Sequence, residues 1–130
     1  TDVNTPSETS VIQRAVATAA ALFGLATIVA GVRVLTGADP GYVVFRPLLL
    51  FNTAMGFAYV GAGVLAWRDL TRGRSAAAVI FGLNLCVLGA IGYLYSTGNA
   101  VAVDSLRAMT LRTGVWMAFL LALAWLHRRA

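Results

Sequence analysis

The chain has 130 residues, of which 59% are hydrophobic and 12% are charged, and its formal net charge is +5. An ordinary soluble domain carries about a quarter charged residues, so this composition excludes a typical water-soluble domain. The ten basic residues are all arginine and are spread between apolar runs instead of forming one basic face, which argues against a nucleic-acid-binding protein.

The chain begins with a polar segment that has no periodicity, and this pattern predicts a flexible tail over residues 1–13. Apolar residues then predominate from 15 to 35. At about 1.5 Å rise per helical residue, this run is long enough to cross a hydrocarbon core of about 30 Å. It is too long for a signal peptide and follows a polar segment, so we expect a first transmembrane helix that is not cleaved.

Two further spans are predicted in the middle of the chain, over residues 47–67 and 76–95. Pro47 suits the start of the second helix, because its missing N–H would have no partner in the first turn. Ser75 is a good N-cap for the third helix, since its hydroxyl can accept a hydrogen bond from an N–H of the first turn.

A fourth span is predicted over about residues 106–126, after Asp104 and Ser105, which are also good N-caps. The connections between the spans are short turns: residues 36–45, 68–75 and 96–105. Residues 14–130 are therefore expected to form a single all-α domain. It would be an integral membrane four-helix bundle with antiparallel up-down-up-down topology and short loops.

The distribution of arginines predicts how this domain is oriented in the membrane. Four spans place both termini on the same side. That side carries six arginines: Arg14, Arg68, Arg72, Arg74, Arg128 and Arg129. The opposite side carries Arg33, Arg46, Arg107 and Arg112. Because cytoplasmic segments carry the excess of basic residues, we expect a bacterial cytoplasmic membrane protein with both termini in the cytoplasm.

One face of the second helix carries small and polar residues at helical spacing. Asn52, Gly56, Tyr59 and Gly63 stand at i, i+4, i+7 and i+11, so they share one stripe. We expect this stripe to face protein. An amide or phenol directed at lipid would lack a hydrogen-bond partner, and glycines let a neighbouring helix approach closely.

The first and third helices are predicted to supply the surfaces that this stripe meets. The third helix carries a matching stripe of small or polar residues: Gly82, Cys86, Gly89, Tyr93 and Ser96. Asn84 is turned by about 200° from Gly82, so it points to the opposite side of that helix. The first helix contributes Gly24, Thr27 and Gly31.

The arginines on the outer side indicate a candidate site. Arg112 lies within the fourth span, about 9 Å short of the outer hydrocarbon edge, and three other arginines lie near the same side. Guanidinium groups that converge there would suit a carboxylate, a phosphate or a lipid headgroup. The predicted ligand-binding residues are Arg33, Arg46, Asn52, Tyr59, Asn84, Tyr93, Arg107 and Arg112.

A purely structural interpretation stays open for the same residues. The arginines would then reach lipid phosphates or pair with Asp39 and Asp104, and the small and polar residues would only pack the bundle.

Several chemistries are excluded by residues that the sequence lacks. Cys86 is the single cysteine and His127 the single histidine, so this chain alone cannot build a two-thiol relay, a bis-histidine haem or a zinc site. None of the five acidic residues lies inside a predicted span, which removes the usual intramembrane proton carrier. We therefore predict no cofactor and no metal site.

Two classes of function remain. The first is a binding or accessory module in the lipid bilayer, with a pocket for an anionic lipid or small amphiphile or with a helix face that docks a partner. The second is a small membrane enzyme or oligomeric transporter that uses the tyrosine, asparagine and arginine groups of the same pocket. A homo-oligomer or a larger membrane complex is compatible with both, and no motif ties the sequence to a known family.

Overall fold

A computed structural model describes residues 8–41, 44–98 and 101–129, and within these ranges it contains four α-helices. They are α1 (Glu8–Leu35), α2 (Arg46–Arg68), α3 (Leu70–Ser96) and α4 (Val103–Arg129). Each helix packs antiparallel against the next in an up-down-up-down bundle, which confirms the predicted fold. All four are long and apolar enough to cross a membrane, so the chain fits a small integral membrane protein.

The surface of the bundle is apolar on all four helices. Leu22 of α1, Phe57 of α2, Val79 of α3 and Leu111 of α4 have 60%, 63%, 62% and 63% of their surface exposed. Large apolar side chains exposed around a whole bundle would be unfavourable in water, but they match the tails of surrounding lipids. The polar groups inside the bundle therefore have to find their partners within the protein.

The two ends of the bundle differ in what they carry. The terminal end holds the start of α1, the end of α4 and the link between α2 and α3, and the two-link end holds the other two links. At the terminal end, the guanidinium of Arg14 lies 5.2 Å from the ring centre of Trp67, and that of Arg129 lies 4.8 Å from that of Trp125. These cation–π contacts hold the basic side chains against the helix ends.

Helix α1 begins earlier than the sequence pattern predicts. It starts at Glu8, so the predicted flexible tail is wrong for residues 8–13, and residues 1–7 lie outside the described residues. Gln13 packs in the bundle and donates a hydrogen bond of 2.7 Å from Nε2 to the carbonyl oxygen of Ala66 on α2. A helix can continue beyond the hydrocarbon without apolar residues, which is why hydrophobicity alone misplaced its start.

The link between α2 and α3 is a single residue, Asp69. Its side chain accepts hydrogen bonds from the backbone N–H groups of Thr71, at 3.0 Å, and Arg72, at 3.3 Å. The predicted cap at Ser75 is therefore wrong, because Asp69 already satisfies the free N–H groups nearly two turns earlier. Helix α2 begins at Arg46, with Pro47 in its first turn as predicted.

Helices α1 and α2 approach each other through glycines. A Cβ atom on Gly24 would lie 2.7 Å from the backbone nitrogen of Val60 and 2.8 Å from the carbonyl oxygen of Gly56. A Cβ atom on Gly63 would lie 2.8 Å from the carbonyl oxygen of Ala17. The predicted inward face of α2 is confirmed, and its close partner is α1.

Helix α3 turns the opposite face inward from the one predicted. Its buried residues are Gly73, Ala77, Ile80, Asn84 and Ile91. Gly82 and Gly89 have open space where a Cβ atom would be, and Cys86 is exposed. The prediction that this glycine stripe meets α2 is therefore wrong. Small residues occur on both faces of α3, and burial of the single amide fixes its rotation.

An aromatic layer fills the centre of the bundle and consists of Phe23, Tyr59, Trp116 and Phe119. The ring centre of Tyr59 lies 5.6 Å from that of Phe23 and 5.0 Å from that of Trp116, which in turn lies 5.1 Å from that of Phe119. Tyr59 and Trp116 are 0% and 1% exposed. The four rings therefore fill the core at this level of the bundle.

Candidate functional site

A cavity of about 100 Å³ opens at the two-link end of the bundle, between α1, α2 and α4. Its lining combines residues of these helices with the two residues before α2: Thr27, Ala30, Gly31, Val34, Val44, Phe45, Leu48, Leu49, Asn52, Ser105, Ala108 and Arg112. Phe23 and Trp116 of the aromatic layer stand one helical turn from Thr27 and Arg112, on the side away from the opening. No residue of the aromatic layer lines the cavity, which therefore lies on the two-link side of that layer.

Four polar side chains line the cavity, and three different helices supply them. Thr27 comes from α1, Asn52 from α2, and Ser105 and Arg112 from α4. The Thr27 hydroxyl donates to the carbonyl oxygen of Phe23 at 2.8 Å, so its oxygen lone pairs stay available as acceptors. A cationic group, an amide and two hydroxyls in a small apolar pocket are the kind of lining that ligand sites commonly have.

Asn52 is a cavity residue with an unsatisfied hydrogen-bond acceptor. Its Oδ1 atom is buried and has no hydrogen-bond partner among the described residues. An acceptor in this state costs about 1–3 kcal/mol, and nearly all buried polar atoms in proteins avoid that cost. Asn52 therefore carries an unsatisfied acceptor in the wall of the cavity.

Arg112 places a positive charge inside the hydrophobic span. It lies four residues before the midpoint of α4, about 6 Å along the helix axis, and it is half-buried. Its Nη1 atom is shielded from solvent. An arginine at this depth is costly to insert, and arginines retained there usually face a cavity or a partner, as this one does.

The other three predicted arginines do not join Arg112. Arg33, Arg46 and Arg107 lie at the same end of the bundle, but they are exposed and do not line the cavity. Arg107 Nη1 lies 4.0 Å from Asp104 Oδ1, and both side chains are largely exposed. Such an ion pair contributes little, because water and salt screen it. Of the predicted arginine cluster, the structure brings only Arg112 to the cavity.

Three predicted site residues lie away from the cavity. The Tyr59 hydroxyl donates to Asn84 Oδ1 at 3.2 Å, and both side chains are 0% exposed in the core. Tyr93 is 69% exposed on the outward face of α3. Asn84 Nδ2 and Trp116 Nε1 are buried without a hydrogen-bond partner among the described residues, so this core holds unused donors as well.

Sequence reasoning missed two of the four polar cavity residues as site residues. Thr27 was interpreted as part of a packing stripe and Ser105 as a helix cap. A usable signal exists on α4, where Ser105, Ala108 and Arg112 stand at i, i+3 and i+7 and therefore share one face. That face links the intramembrane arginine to a small, partly polar surface, which is what a cavity wall requires.

A second, shallower groove of about 190 Å³ runs between α1 and α4. It is lined by Phe23, Ala26, Thr27, Ala30, Ala108, Leu111 and Arg112. Four of these residues also line the cavity: Thr27, Ala30, Ala108 and Arg112. Groove and cavity therefore meet along the same stretch of α1 and α4.

The cavity lining limits the chemistry that it can support. Among the described residues that line it, none carries a carboxylate, imidazole, thiol or phenol. Over the described ranges, no three histidine, cysteine or acidic side chains come together in a way that could hold a metal ion. The groups present can bind and orient an anion, but they do not form an acid–base pair.

Comparison of the chain with protein-family models, with curated proteins and with solved structures finds no match. Function therefore has to be argued from the site itself.

Proposed function

We propose that this protein is a membrane binding module that holds the anionic headgroup of a lipid or related amphiphile in the cavity at its two-link end. The observation that carries the proposal is the presence of Arg112 and Asn52 in the lining of one cavity within the hydrophobic span. A phosphate or carboxylate in this cavity would form charge-assisted hydrogen bonds with the guanidinium of Arg112.

The size of the cavity supports a headgroup rather than a complete small molecule. Sites for drug-sized ligands measure about 300–1,000 Å³, whereas this cavity measures about 100 Å³. A cavity of this volume suits one compact polar group. A phosphate or carboxylate fits this space, and the rest of the molecule would extend out of the cavity.

The charge and depth of Arg112 support an anion over a neutral ligand. A guanidinium binds phosphate and carboxylate through two parallel hydrogen bonds, and these interactions are stronger where water is scarce. Thr27 and Ser105 line the same cavity. The Ser105 hydroxyl can donate to a further oxygen of the ligand, whereas Thr27 Oγ1 gives its proton to Phe23 and can only accept.

Native mass spectrometry in mild detergent tests the proposal. The protein is incubated with phosphatidylglycerol or with phosphatidylcholine of the same acyl chains, so that only the headgroup differs. We expect wild type to retain phosphatidylglycerol preferentially. Arg112→Gln, which keeps a long polar side chain but no charge, should lose this preference.

Arg107→Gln is the matched control, because Arg107 lies one to two turns away on the same helix but is exposed and pairs with Asp104. This variant should retain phosphatidylglycerol as wild type does. If Arg112→Gln folds normally and retains phosphatidylglycerol as well as wild type, the cavity is not the binding site and the proposal fails.

The proposal includes an orientation. With the six arginines of the terminal end on the cytoplasmic side, the cavity opens toward the outer leaflet of a bacterial cytoplasmic membrane. Labelling of single cysteines, introduced at Gly37 and at Arg74 in a Cys86→Ser background, with a membrane-impermeant maleimide on intact cells tests it. Modification of the Gly37 variant alone supports the orientation, and modification of the Arg74 variant alone overturns it.

A further inference from the structure

The α1–α4 groove lies on the membrane-facing surface of the bundle and shares four lining residues with the cavity. Ala26 and Ala30 are exposed on the α1 side, and Leu111, 63% exposed, forms the α4 side. Arg112 lines both the groove and the cavity. Arg112 is therefore next to a surface on which the apolar part of an anionic amphiphile could lie.

Helix packing explains why the opening lies here. Of the neighbouring helix pairs, α1 and α4 touch each other least, whereas α1 and α2 approach through glycines. Alanines at positions 26, 30 and 108 leave space between α1 and α4 that larger side chains would fill. Thr27 and Arg112 are the two polar residues that line this groove, and the other lining residues are apolar.

We propose that the ligand of the cavity is a long-chain anionic lipid that enters sideways from the bilayer, with one acyl chain lying in the α1–α4 groove and its headgroup at Arg112. This inference rests on the proposed function, because it assumes that an anion occupies the cavity. Charge complementarity indicates the occupant. The α1–α4 groove is mostly apolar and has the guanidinium of Arg112 in its lining, and an anionic lipid combines an apolar chain with an anionic group. A water-soluble anion would not use the groove.

Photo-crosslinking in lipid nanodiscs tests the route. Phosphatidylcholine nanodiscs carry a trace of phosphatidylglycerol with a diazirine in the middle of one acyl chain, and matched discs carry the same diazirine on phosphatidylcholine. The ratio of the two labelling yields removes the contribution of ordinary surrounding lipid. We expect this ratio to be highest on α1 and α4 around residues 22–30 and 108–115.

Ala26→Phe fills the groove at a residue that does not line the cavity. We expect it to lower the normalised labelling of α1 and α4 at least fivefold. Ala58→Phe, which makes the same change at an exposed alanine of α2 that lines neither space, should leave this labelling within twofold of wild type.

The outcomes separate this inference from the proposed function. If wild type retains phosphatidylglycerol in an Arg112-dependent manner, but labelling is even over the four helices or unaffected by Ala26→Phe, the groove does not hold the chain and the inference is overturned while the cavity proposal stands. If Arg112→Gln leaves both retention and labelling unchanged, the proposed function fails and the inference fails with it.

Discussion

The hydroxyl of Tyr59 donates a hydrogen bond of 3.2 Å to the amide oxygen of Asn84 across the α2–α3 interface. Both side chains are fully buried, next to the aromatic layer. This contact explains why an amide is tolerated in the middle of an apolar helix: each polar group satisfies part of the need of the other. It also identifies both residues as part of the fold rather than of the cavity.

The Tyr59–Asn84 hydrogen bond should be measurable as a coupling energy. We expect Tyr59→Phe and Asn84→Leu each to lower the free energy of unfolding, and a double-mutant cycle to give a coupling of about 0.5–1.5 kcal/mol. Unfolding in mixed micelles with increasing denaturing detergent gives these values. Tyr93→Phe, at the exposed tyrosine of α3, is the control and should change stability little. A coupling of zero would mean that the bond does not persist in the folded protein.

The close approach of α1 and α2 makes Gly24 sensitive to a single methyl group. Gly24→Ala would bring a Cβ atom to 2.7 Å from the backbone of Val60, which forces the helices apart. We expect destabilisation of about 1–3 kcal/mol, as for other overpacked sites. Gly82→Ala makes the same change on the outward face of α3, where the Cβ atom meets open space. This variant should be neutral or slightly stabilising, because alanine is the better helix former. Equal losses in the two variants would contradict the glycine-mediated contact.

Arg112 should cost stability in the absence of a ligand. Replacing it by leucine removes a charge from the hydrophobic span, so we expect Arg112→Leu to raise the free energy of unfolding of lipid-free protein by about 1–3 kcal/mol. The same variant should lose the additional stabilisation that phosphatidylglycerol gives wild type. Arg107→Leu, at the exposed end of α4, serves as the comparison. A large loss of stability in lipid-free Arg112→Leu would show that the arginine is mainly structural.

The cap at Asp69 predicts that two substitutions of this residue lower the free energy of unfolding by different amounts. Asp69→Ala removes the side-chain acceptor for the N–H groups of Thr71 and Arg72, and we expect a loss of about 1 kcal/mol. Asp69→Asn keeps an acceptor oxygen and should stay within about 0.3 kcal/mol of wild type, since both residues cap equally well. The exposed ion pair to Arg72 contributes little to either value. Equal destabilisation by both changes would assign the effect to charge instead.

The single cysteine reports the rotation of α3. A nitroxide attached to Cys86 should be mobile and highly accessible to molecular oxygen, because the residue faces out of the bundle. A nitroxide at Ala77→Cys in a Cys86→Ser background should be immobile and shielded, since Ala77 is 0% exposed. Electron paramagnetic resonance measures both properties. The reverse order of accessibility would restore the inward glycine stripe that the sequence predicts.

The existence of the four helices and the inward face of α2 could be predicted from the sequence. Long apolar runs are a strong signal, because lipid imposes a minimum span length on every helix. The stripe of Asn52, Gly56, Tyr59 and Gly63 was informative because it combines two polar groups with two glycines on one face. Arg112 and Asn52 could be selected as candidate site residues because polar groups at that depth need an explanation, and both line the same cavity.

The rotation of α3 and the helix boundaries could not be predicted in the same way. In a membrane protein the lipid-facing and core-facing surfaces are both apolar, so hydrophobic periodicity does not separate the two faces of α3. The boundaries near Glu8 and Leu70 depend on polar residues that stay helical outside the hydrocarbon, and on the cap at Asp69. The predicted convergence of the four arginines was wrong because nearness to the same end of the bundle does not determine the direction of a long side chain.

The single-residue link at Asp69 determines the rotation of α3 about its own axis relative to α2. One residue advances an α-helix by about 100°, so inserting one alanine there while the corner stays tight would turn all of α3 about its own axis relative to α2. The amide of Asn84 would then lose its hydrogen bond with the Tyr59 hydroxyl and turn toward the lipid. The length of this link therefore determines which side chains of α2 and α3 are in contact about 20 Å along the helix from Asp69. Inserting a single residue would change which residues of α3 are buried in the core.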